Sequence, residues 1–198
     1  IAIGQTVEAL EMARSSLAAL PERAVQNSFA PLQRRDFENR HALALIYTGQ
    51  SEAAHVALGQ LVDQARRDGQ AKGDVYGRSL HYLAGARIAR GDWAAAIDAS
   101  REAIQVFEHS RIGADMYVAR AQLTEAMALA RQGHADAAVA LVDAADAHLL
   151  KVSEASHPVR HHAQLVRAEV LRGLGRLDEA RGLEHEAREA LKAQGAVL

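Results

Sequence analysis

Four short stretches decide the fold: GQSEAA at residues 49–54, GDWAAA at 91–96, GHADAA at 133–138 and GRLDEA at 175–180. Their Gly residues stand 42 positions apart three times in succession. An earlier copy, GQTVEA at residues 4–9, precedes Gly49 by 45 positions, which predicts the same unit with three extra residues near 21–31. Equal intervals of this size are typical of repeat proteins, in which one supersecondary unit stacks on the next.

Two columns of Ala accompany these Gly residues. The first lies five positions after each Gly, at Ala9, Ala54, Ala96, Ala138 and Ala180, and the second lies seven positions before, at Ala42, Ala84, Ala126 and Ala168. In a helical hairpin the first helix ends at a residue in the left-handed conformation, where Gly carries no Cβ penalty. Where the two helix axes cross closely, only small side chains fit. We therefore interpret each Gly as the end of a first helix and the Ala columns as crossing points.

The pattern predicts an all-α chain of antiparallel hairpins without strands. The expected helices are 35–48 and 51–66, 74–90 and 93–109, 114–132 and 135–150, and 158–174 and 177–193, preceded by a lone second helix near 4–18. Apolar side chains spaced three and four residues apart, as in Ala99, Ala103 and Ile104, mark the buried stripe of each helix. We expect one solenoid domain over residues 1–198, with a partial repeat at 1–31 and full repeats at about 32–73, 74–113, 114–156 and 157–198.

Composition narrows the class of protein. Of 198 residues 43 are Ala and only three are Pro, which favours helix throughout. A formal net charge of −2 gives no basic field for nucleic acid, and no apolar run is long enough to span a membrane. There is no Cys, so disulfides and thiolate metal sites are excluded. Because the chain starts at Ile1 within the apolar periodicity, we expect it to be the C-terminal part of a longer cytoplasmic protein; the 20 Arg against three Lys suggest a bacterial source.

Signatures of catalysis and cofactor binding are missing from the sequence. It has no phosphate-binding loop, no Gly-x-Ser-x-Gly elbow and no His-Glu-x-x-His motif. His157, His161 and His162 cluster, and His157 with His161 and Glu154 could offer metal ligands, although a zinc site needs three or four positioned groups. The alternative is that these residues simply begin a helix. We expect no enzyme activity, no cofactor and no metal.

The pattern resembles the tetratricopeptide repeat (TPR) family, in its 42-residue variety found in kinesin light chains and bacterial signalling proteins. The resemblance runs from Gly4 to about Leu191 and rests on the Ala–Gly–Ala triplets, Leu83, Trp93 and the pair His157-Pro158, with Ala103, Ala145 and Ala187 in a further column. It implies a right-handed α-α superhelix, or solenoid, whose first helices line a concave groove. Members usually carry Asn on this groove face, and here only Asn39 matches.

The resemblance also implies which residues face the groove. With each Gly counted as position 15, inward positions 2, 5, 9, 12 and 13 and the residues beside them supply the candidate partner-binding residues. These are Asn39, Tyr47, Arg78, His81, Tyr82, Arg120, Leu123, Met127, Arg131 and His162. Position 2 reads Asp36, Arg78, Arg120 and His162, so we expect a net basic groove that suits a carboxylate-bearing partner. The alternative is that these Arg side chains are solvated, or pair internally with Asp36, Glu125 or Glu169.

The leading functional hypothesis is a scaffold that binds a peptide or partner protein in this groove, as a sensor or regulatory module of a bacterial signalling or transcription-regulatory protein. A second hypothesis is a module that makes homodimers of its parent protein. No nucleic acid or membrane partner is expected. A third, an enzyme with a dispersed site, has no visible pair of activated groups to support it.

Overall fold

A computed structural model describes residues 11, 12, 14, 15, 30–110 and 114–194. Within residues 30–110 and 114–194 it has eight α-helices and no strand, in the order α1 Ala30–Tyr47, α2 Ser51–Arg67, α3 Gly73–Arg90, α4 Trp93–Glu108, α5 Ala114–Arg131, α6 Ala135–Val152, α7 Pro158–Gly173 and α8 Leu177–Ala193. The all-α prediction is confirmed, and the helix ends agree to within two residues except that α1 begins at Ala30. The predicted helix at 4–18 lies mostly outside the described residues, of which 11, 12, 14 and 15 are helical.

Consecutive helices pack as antiparallel hairpins, α1 with α2, α3 with α4, α5 with α6 and α7 with α8. Each second helix also contacts the first helix of the next hairpin. This arrangement gives a stack in which every unit buries its apolar face against its neighbours, as in a TPR-type α-α solenoid.

The four repeat glycines end the first helices as expected. Their φ angles are positive, at 77° for Gly49, 81° for Gly91, 90° for Gly133 and 75° for Gly175. At each of these ends the amide after the glycine donates to the carbonyl five residues before it, as Asp92 does to Arg87 at 2.9 Å. The same hydrogen bond recurs from Gln50, His134 and Arg176 at 2.8–2.9 Å. The chain therefore reverses at every hairpin through one repeated helix-ending motif.

Both Ala columns lie in the core. Ala42, Ala84, Ala126 and Ala168 on the first helices, and Ala54, Ala96, Ala138 and Ala180 on the second, are at most 1% exposed; Ala9 lies outside the described residues. Larger side chains fill the space on either side of these crossings, including Tyr76, Phe107, Leu58 and Leu149. The small residues thus let the helix axes approach while their neighbours supply the buried apolar area.

The first helices form the inner row of the stack. α1 contacts α3, α3 contacts α5, and α5 contacts α7, whereas no two of α2, α4, α6 and α8 come within 8 Å between Cα atoms. Rows that touch lie on the inside of a curved stack, and rows that separate lie on the outside. The surface of α1, α3, α5 and α7 is therefore the concave one, and we call it the inner surface. None of the described helices has the length and apolar character to cross a membrane.

Candidate functional site

The residues at position 2 form a column across the inner surface, one on each first helix: Asp36 on α1, Arg78 on α3, Arg120 on α5 and His162 on α7. The first two are joined by an ion pair, with Arg78 Nη2 2.7 Å from Asp36 Oδ1. Both side chains are only about a quarter exposed or less, so this pair is a fixed part of the surface. Arg40, one helical turn along α1, makes a second contact with Asp36 at 2.9 Å.

Arg78 also contacts Tyr117. Its Nη1 donates to the Tyr117 hydroxyl at 3.1 Å, and its guanidinium carbon lies 5.7 Å from the centre of the Tyr117 ring. These contacts, with the carboxylate of Asp36, hold the pKa of Arg78 above its ordinary value despite partial burial. Arg78 therefore has little capacity left to grip a ligand, and our expectation of it as a primary contact needs correction.

Arg131 and Arg172, at the other end of the inner surface, are also paired within the chain. Arg131 Nε lies 2.7 Å from Glu169 Oε1, and Arg172 contacts both Glu169 and Glu184. Glu125, which we considered as a partner for the groove, instead accepts from Arg101 on α4 at 2.7 Å. The inner surface is thus less basic than its Arg content suggests, because three of its arginines have carboxylates of their own.

Arg120 differs from these three. It is exposed at the middle of the inner surface, and no described carboxylate lies within ion-pair distance of it. Its charge acts on two imidazoles, His81 on the preceding first helix and His162 on the following one. Burial and then Arg120 lower the pKa of His81 to about 3, and the same two causes lower the pKa of His162. At neutral pH the two histidines are therefore uncharged, and Arg120 supplies the charge of this region.

Hydroxyl groups complete the surroundings of Arg120. Thr124 Oγ1 donates to the Arg120 carbonyl at 2.9 Å and lies 3.4 Å from His81 Nδ1. Tyr82 packs its ring against His81 with 5.5 Å between ring centres, and burial raises the pKa of its phenol. We call Arg120, His81, His162, Thr124 and Tyr82 the Arg120 cluster. At neutral pH its side chains hold hydrogen-bond donors and a single positive charge, which is the chemistry that receives an anion.

Apolar side chains continue the inner surface beside the Arg120 cluster. Met127 is half-buried on α5, and Tyr47 at the end of α1 is 55% exposed. Both keep accessible surface, and their role as partner contacts stays a prediction. Neither makes a polar contact that would orient a ligand, so they offer contact area only.

Two candidate residues are wrong as partner contacts because they are buried. Asn39 and Leu123, both at position 5, are 0% exposed. The Nδ2 of Asn39 donates to the Val75 carbonyl at 3.0 Å and so joins α1 to α3. Leu123 lies in the core beside Ala126. At these two repeats position 5 therefore faces the protein interior, and at Asn39 it faces the following first helix, rather than the groove.

Two residues of this region were not among the predicted contacts, Thr124 within the Arg120 cluster and Tyr117 beside Arg78. Tyr117 precedes Arg120 by three residues on a helix, and such residues share a face. Thr124 stands 42 residues after Tyr82, so the repeat places both at the same position. Both signals are visible in the sequence once the register is known.

The histidines considered as metal ligands make separate contacts within the chain. The Nδ1 of His157 accepts a hydrogen bond from the Val159 amide and so caps the start of α7, with Pro158 in its first turn. His161 Nδ1 lies 3.0 Å from Gln164 Oε1, and His162 belongs to the Arg120 cluster. Among the described residues no group of three potential ligands of the His, Cys, Asp or Glu types comes together.

A cavity of about 320 Å³ lies on the opposite side of the stack, between α2, α3 and α4. Its wall includes Arg66 and Glu102, which meet at 2.7 Å and share the hydroxyl of buried Tyr76. The cavity mixes carboxylates with arginines, so it favours no one charge of ligand. The inner surface remains the better candidate site.

The comparisons with known proteins agree with this architecture. A crystal structure of TPR-like repeats from Podosopora anserina, attributed to a kinesin light chain, matches with a TM-score of 0.61 and 24% identity, covering 98% of this chain and 90% of that one. A single-substitution variant of the same protein gives a TM-score of 0.63 with the same identity and coverage. BtubC (BKLC) from P. vanneervenii gives 0.69 at 16% identity, covering 98% and 76%. The sequence matches no family model and no curated protein.

At these identities the likeness establishes the fold. The chain has the architecture of kinesin light chain-like TPR repeats, which confirms the resemblance seen in the sequence at the level of structure.

Proposed function

We propose that the chain is an interaction scaffold that binds an extended, anionic segment of a partner protein across its inner surface. The observation that carries this proposal is Arg120, an exposed guanidinium at the centre of a concave surface on which Arg78, Arg131 and Arg172 have carboxylate partners. An exposed arginine on a concavity gains most from a ligand that brings the missing negative charge. Met127, about two turns along the same helix, and Tyr47 at the end of α1 add apolar contact area.

Charge reversal at Arg120 tests this proposal. The wild-type chain and the Arg120→Glu variant are each used to select binders from a displayed library of random peptides at neutral pH. We expect the wild type to enrich peptides with Asp and Glu, and the variant to lose them. Selected peptides should also bind more weakly in high salt, because exposed charges are screened.

A matched control separates the inner surface from general electrostatics. Arg181 on α8 is likewise exposed and lies on a second helix, where it pairs with Asp178. Arg181→Glu changes the net charge by the same amount on the outer side of the stack. Equal loss of acidic peptides in both variants, or enrichment without acidic residues in the wild type, would contradict the proposal.

The biological setting is the second part of the proposal, a cytoplasmic signalling or transcription-regulatory protein of a bacterium. It is supported by composition alone, namely the excess of Arg over Lys and the lack of Cys. The gene tests it. A sensor, kinase or DNA-binding domain encoded in the same reading frame supports this setting, and a reading frame without one contradicts it.

A further inference from the structure

The cavity between α2, α3 and α4 lies at the junction of two hairpins, and the repeat supplies two later junctions to compare with it. At the corresponding positions each later junction carries an ion pair at 2.7 Å, Arg101 with Glu125 and Arg167 with Asp143. At the junction of α2 with α3 these positions are Gly59 and Leu83, and both line the cavity. A Cβ at Gly59 would meet nothing within 4 Å. Positions that hold long, paired side chains at the other junctions thus leave room for a ligand here.

Arg87 lines this cavity at a repeat position that is otherwise apolar. The residues 42 positions before and after it are Leu45 and Leu129, both buried. Its Nη1 donates to the Ala95 carbonyl at 2.8 Å, whereas its Nε is buried and has no acceptor among the described residues. Burial lowers the pKa of Arg87 below its ordinary value. The edge of the guanidinium formed by Nε and Nη2 is therefore left for a carboxylate, which can accept from both nitrogens.

His55 is a second polar side chain at a position that is apolar in the next two repeats. Its equivalents there are Ile97 and Val139. The Nδ1 of His55 is buried and has no hydrogen-bond partner in the part of the chain that the structure describes. Burial, followed by the charges of Arg90 and Arg87, lowers the pKa of His55, so its ring is uncharged at neutral pH. Buried polar groups usually have partners, and this cavity is lined by two that do not.

The charged side chains around the cavity leave one charge of each sign unpaired. Arg66 contacts Glu102 at 2.7 Å and Asp63 at 3.8 Å. Of the described residues that line the cavity, Arg87 and Asp98 then have no ion pair. Asp98 favours the charge of Arg87 but does not come within ion-pair distance of it. A ligand that fits between them needs a negative group for the arginine and a positive group for the aspartate.

We propose that this cavity binds a free α-amino acid with an apolar side chain, whose carboxylate accepts from Arg87 and whose ammonium group faces Asp98. An α-amino acid carries both charges on one carbon, which suits two groups that lie near each other without contact. The buried side chains of Leu80, Leu83 and Val62 in the wall supply an apolar surface for the side chain of the ligand. The volume of about 320 Å³ is at the lower end of the range for ligand sites, about 300–1,000 Å³, so it fits one amino acid rather than a peptide.

An amino acid in this cavity would link two units of the stack. α2 belongs to one hairpin and α3 and α4 to the next, so the ligand contacts both hairpins. A ligand that binds the folded chain and not the unfolded chain raises the melting temperature by mass action. We therefore expect the melting temperature to rise with the concentration of L-leucine.

Isothermal titration calorimetry of the full 198-residue chain with L-leucine measures the binding directly. We expect a Kd of about 1 mM or lower. Two analogues of leucine each lack one charge, since isocaproate has no ammonium group and isoamylamine has no carboxylate. Each analogue should bind about tenfold more weakly than L-leucine, or worse, because one charged group of the cavity is then left without its partner.

Two variants with matched controls assign the binding to this cavity. Arg87→Leu copies the leucine of the preceding repeat and should weaken binding of L-leucine by about tenfold or more. Arg90→Leu removes the same charge from α3, but Arg90 pairs with Glu52 and does not line the cavity, so this variant should keep the affinity of the wild type. Gly59→Leu places a side chain in the cavity and should block L-leucine. Gly182→Leu, at an equally open position in α8, should not.

Circular dichroism of each variant checks that it keeps the helical content of the wild type. The inference is overturned if L-leucine gives no binding up to about 10 mM. Wild-type affinity in Arg87→Leu or Gly59→Leu, or an equal loss in the matched control, also overturns it. Isocaproate that binds as tightly as L-leucine would show that the cavity accepts a simple anion, which contradicts the proposed amino acid.

Discussion

Glu125 and Arg167 occupy the same position in successive repeats, and each pairs with a second-helix residue 24 positions before it, in opposite order of charge. Arg101 Nε donates to Glu125 Oε1 at 2.7 Å, whereas Arg167 Nη2 donates to Asp143 Oδ1 at 2.7 Å. Shifting the stack by one repeat would place acid against acid and base against base. The two pairs therefore favour one order of the units over its shifted alternative.

The first prediction uses this reversal. Arg101→Glu should destabilise the chain by about 2–4 kcal/mol, because the carboxylate of Glu125 is only 6% exposed and would lose its partner to a like charge. The double exchange Arg101→Glu with Glu125→Arg should recover more than half of that loss, since it copies the Arg167–Asp143 arrangement. Urea unfolding of the two variants measures this. A double variant no more stable than Arg101→Glu would show that the site does not accept the reversed pair.

The second prediction concerns the helix crossings. Ala96→Leu and Ala138→Leu should each cost about 1–3 kcal/mol, because both side chains are 0% exposed and the added atoms must displace neighbours. Asp136→Ala, at an exposed position of α6, is the control and should change stability by less than about 0.5 kcal/mol. Thermal melting compares them. If the Leu variants melt with the control, the Ala columns are not crossing points.

The third prediction separates backbone conformation from space. A Cβ at Gly133 would meet nothing within 4 Å, but its φ is +90°, so Gly133→Ala should cost about 1 kcal/mol through strain alone. Gly182 has equally open surroundings within α8 and no positive φ. Gly182→Ala should therefore stabilise the chain by about 0.4–1 kcal/mol. Urea unfolding of both variants checks the opposite signs, and equal signs would contradict the left-handed role of Gly133.

The fourth prediction concerns Tyr76, whose hydroxyl donates to Glu102 at 2.5 Å and accepts from Arg66 at 3.1 Å. Burial and the Glu102 hydrogen bond raise its pKa to about 12, above the ordinary value near 10. The native state thus binds the phenolic proton more tightly than the unfolded state. The resulting stability is complete below about pH 10 and is lost as pH rises toward 12.

Tyr76→Phe tests this account. It should cost about 1–2 kcal/mol at pH 8, since the two hydrogen bonds are lost while Arg66 and Glu102 stay paired. Between pH 10 and 11.5 the variant should lose less stability than the wild type. Urea unfolding across this range gives the comparison, and parallel losses in the two proteins would refute the assignment to Tyr76.

The fold could be predicted from the sequence because its determinants are local and repeated. Gly49 and its three equivalents reverse the chain by a backbone conformation that few other residues adopt, and Ala96 and its equivalents mark where helices cross. A signal repeated four times exceeds what composition alone produces. The early start of α1 was missed because it lies where the period is interrupted.

The site was predicted only in part, because the 42-residue period does not determine which partners the long side chains contact. Arg78, Arg120 and Arg131 were equal candidates in the sequence, yet Arg78 turns to Asp36 and Tyr117 and Arg131 to Glu169. Burial at position 5 also differs between repeats that the period makes equivalent, since Leu123 is completely buried while His81 stays partly accessible. The internal pairing considered at the outset holds for three arginines and fails for Arg120.

Contact among first helices but not among second helices determines how the array deforms under load. In the row α1, α3, α5 and α7 each helix has Cα atoms within 8 Å of the next one, whereas the outer helices are linked by long side chains such as Arg66 to Glu102. The neutral axis of bending therefore lies close to the inner row. When the curvature of the array changes, the distances between the outer helices change most. The spacing of Asp36, Arg78, Arg120 and His162 on the inner row hardly changes. A change of curvature would therefore leave these four side chains at nearly constant intervals along the inner surface.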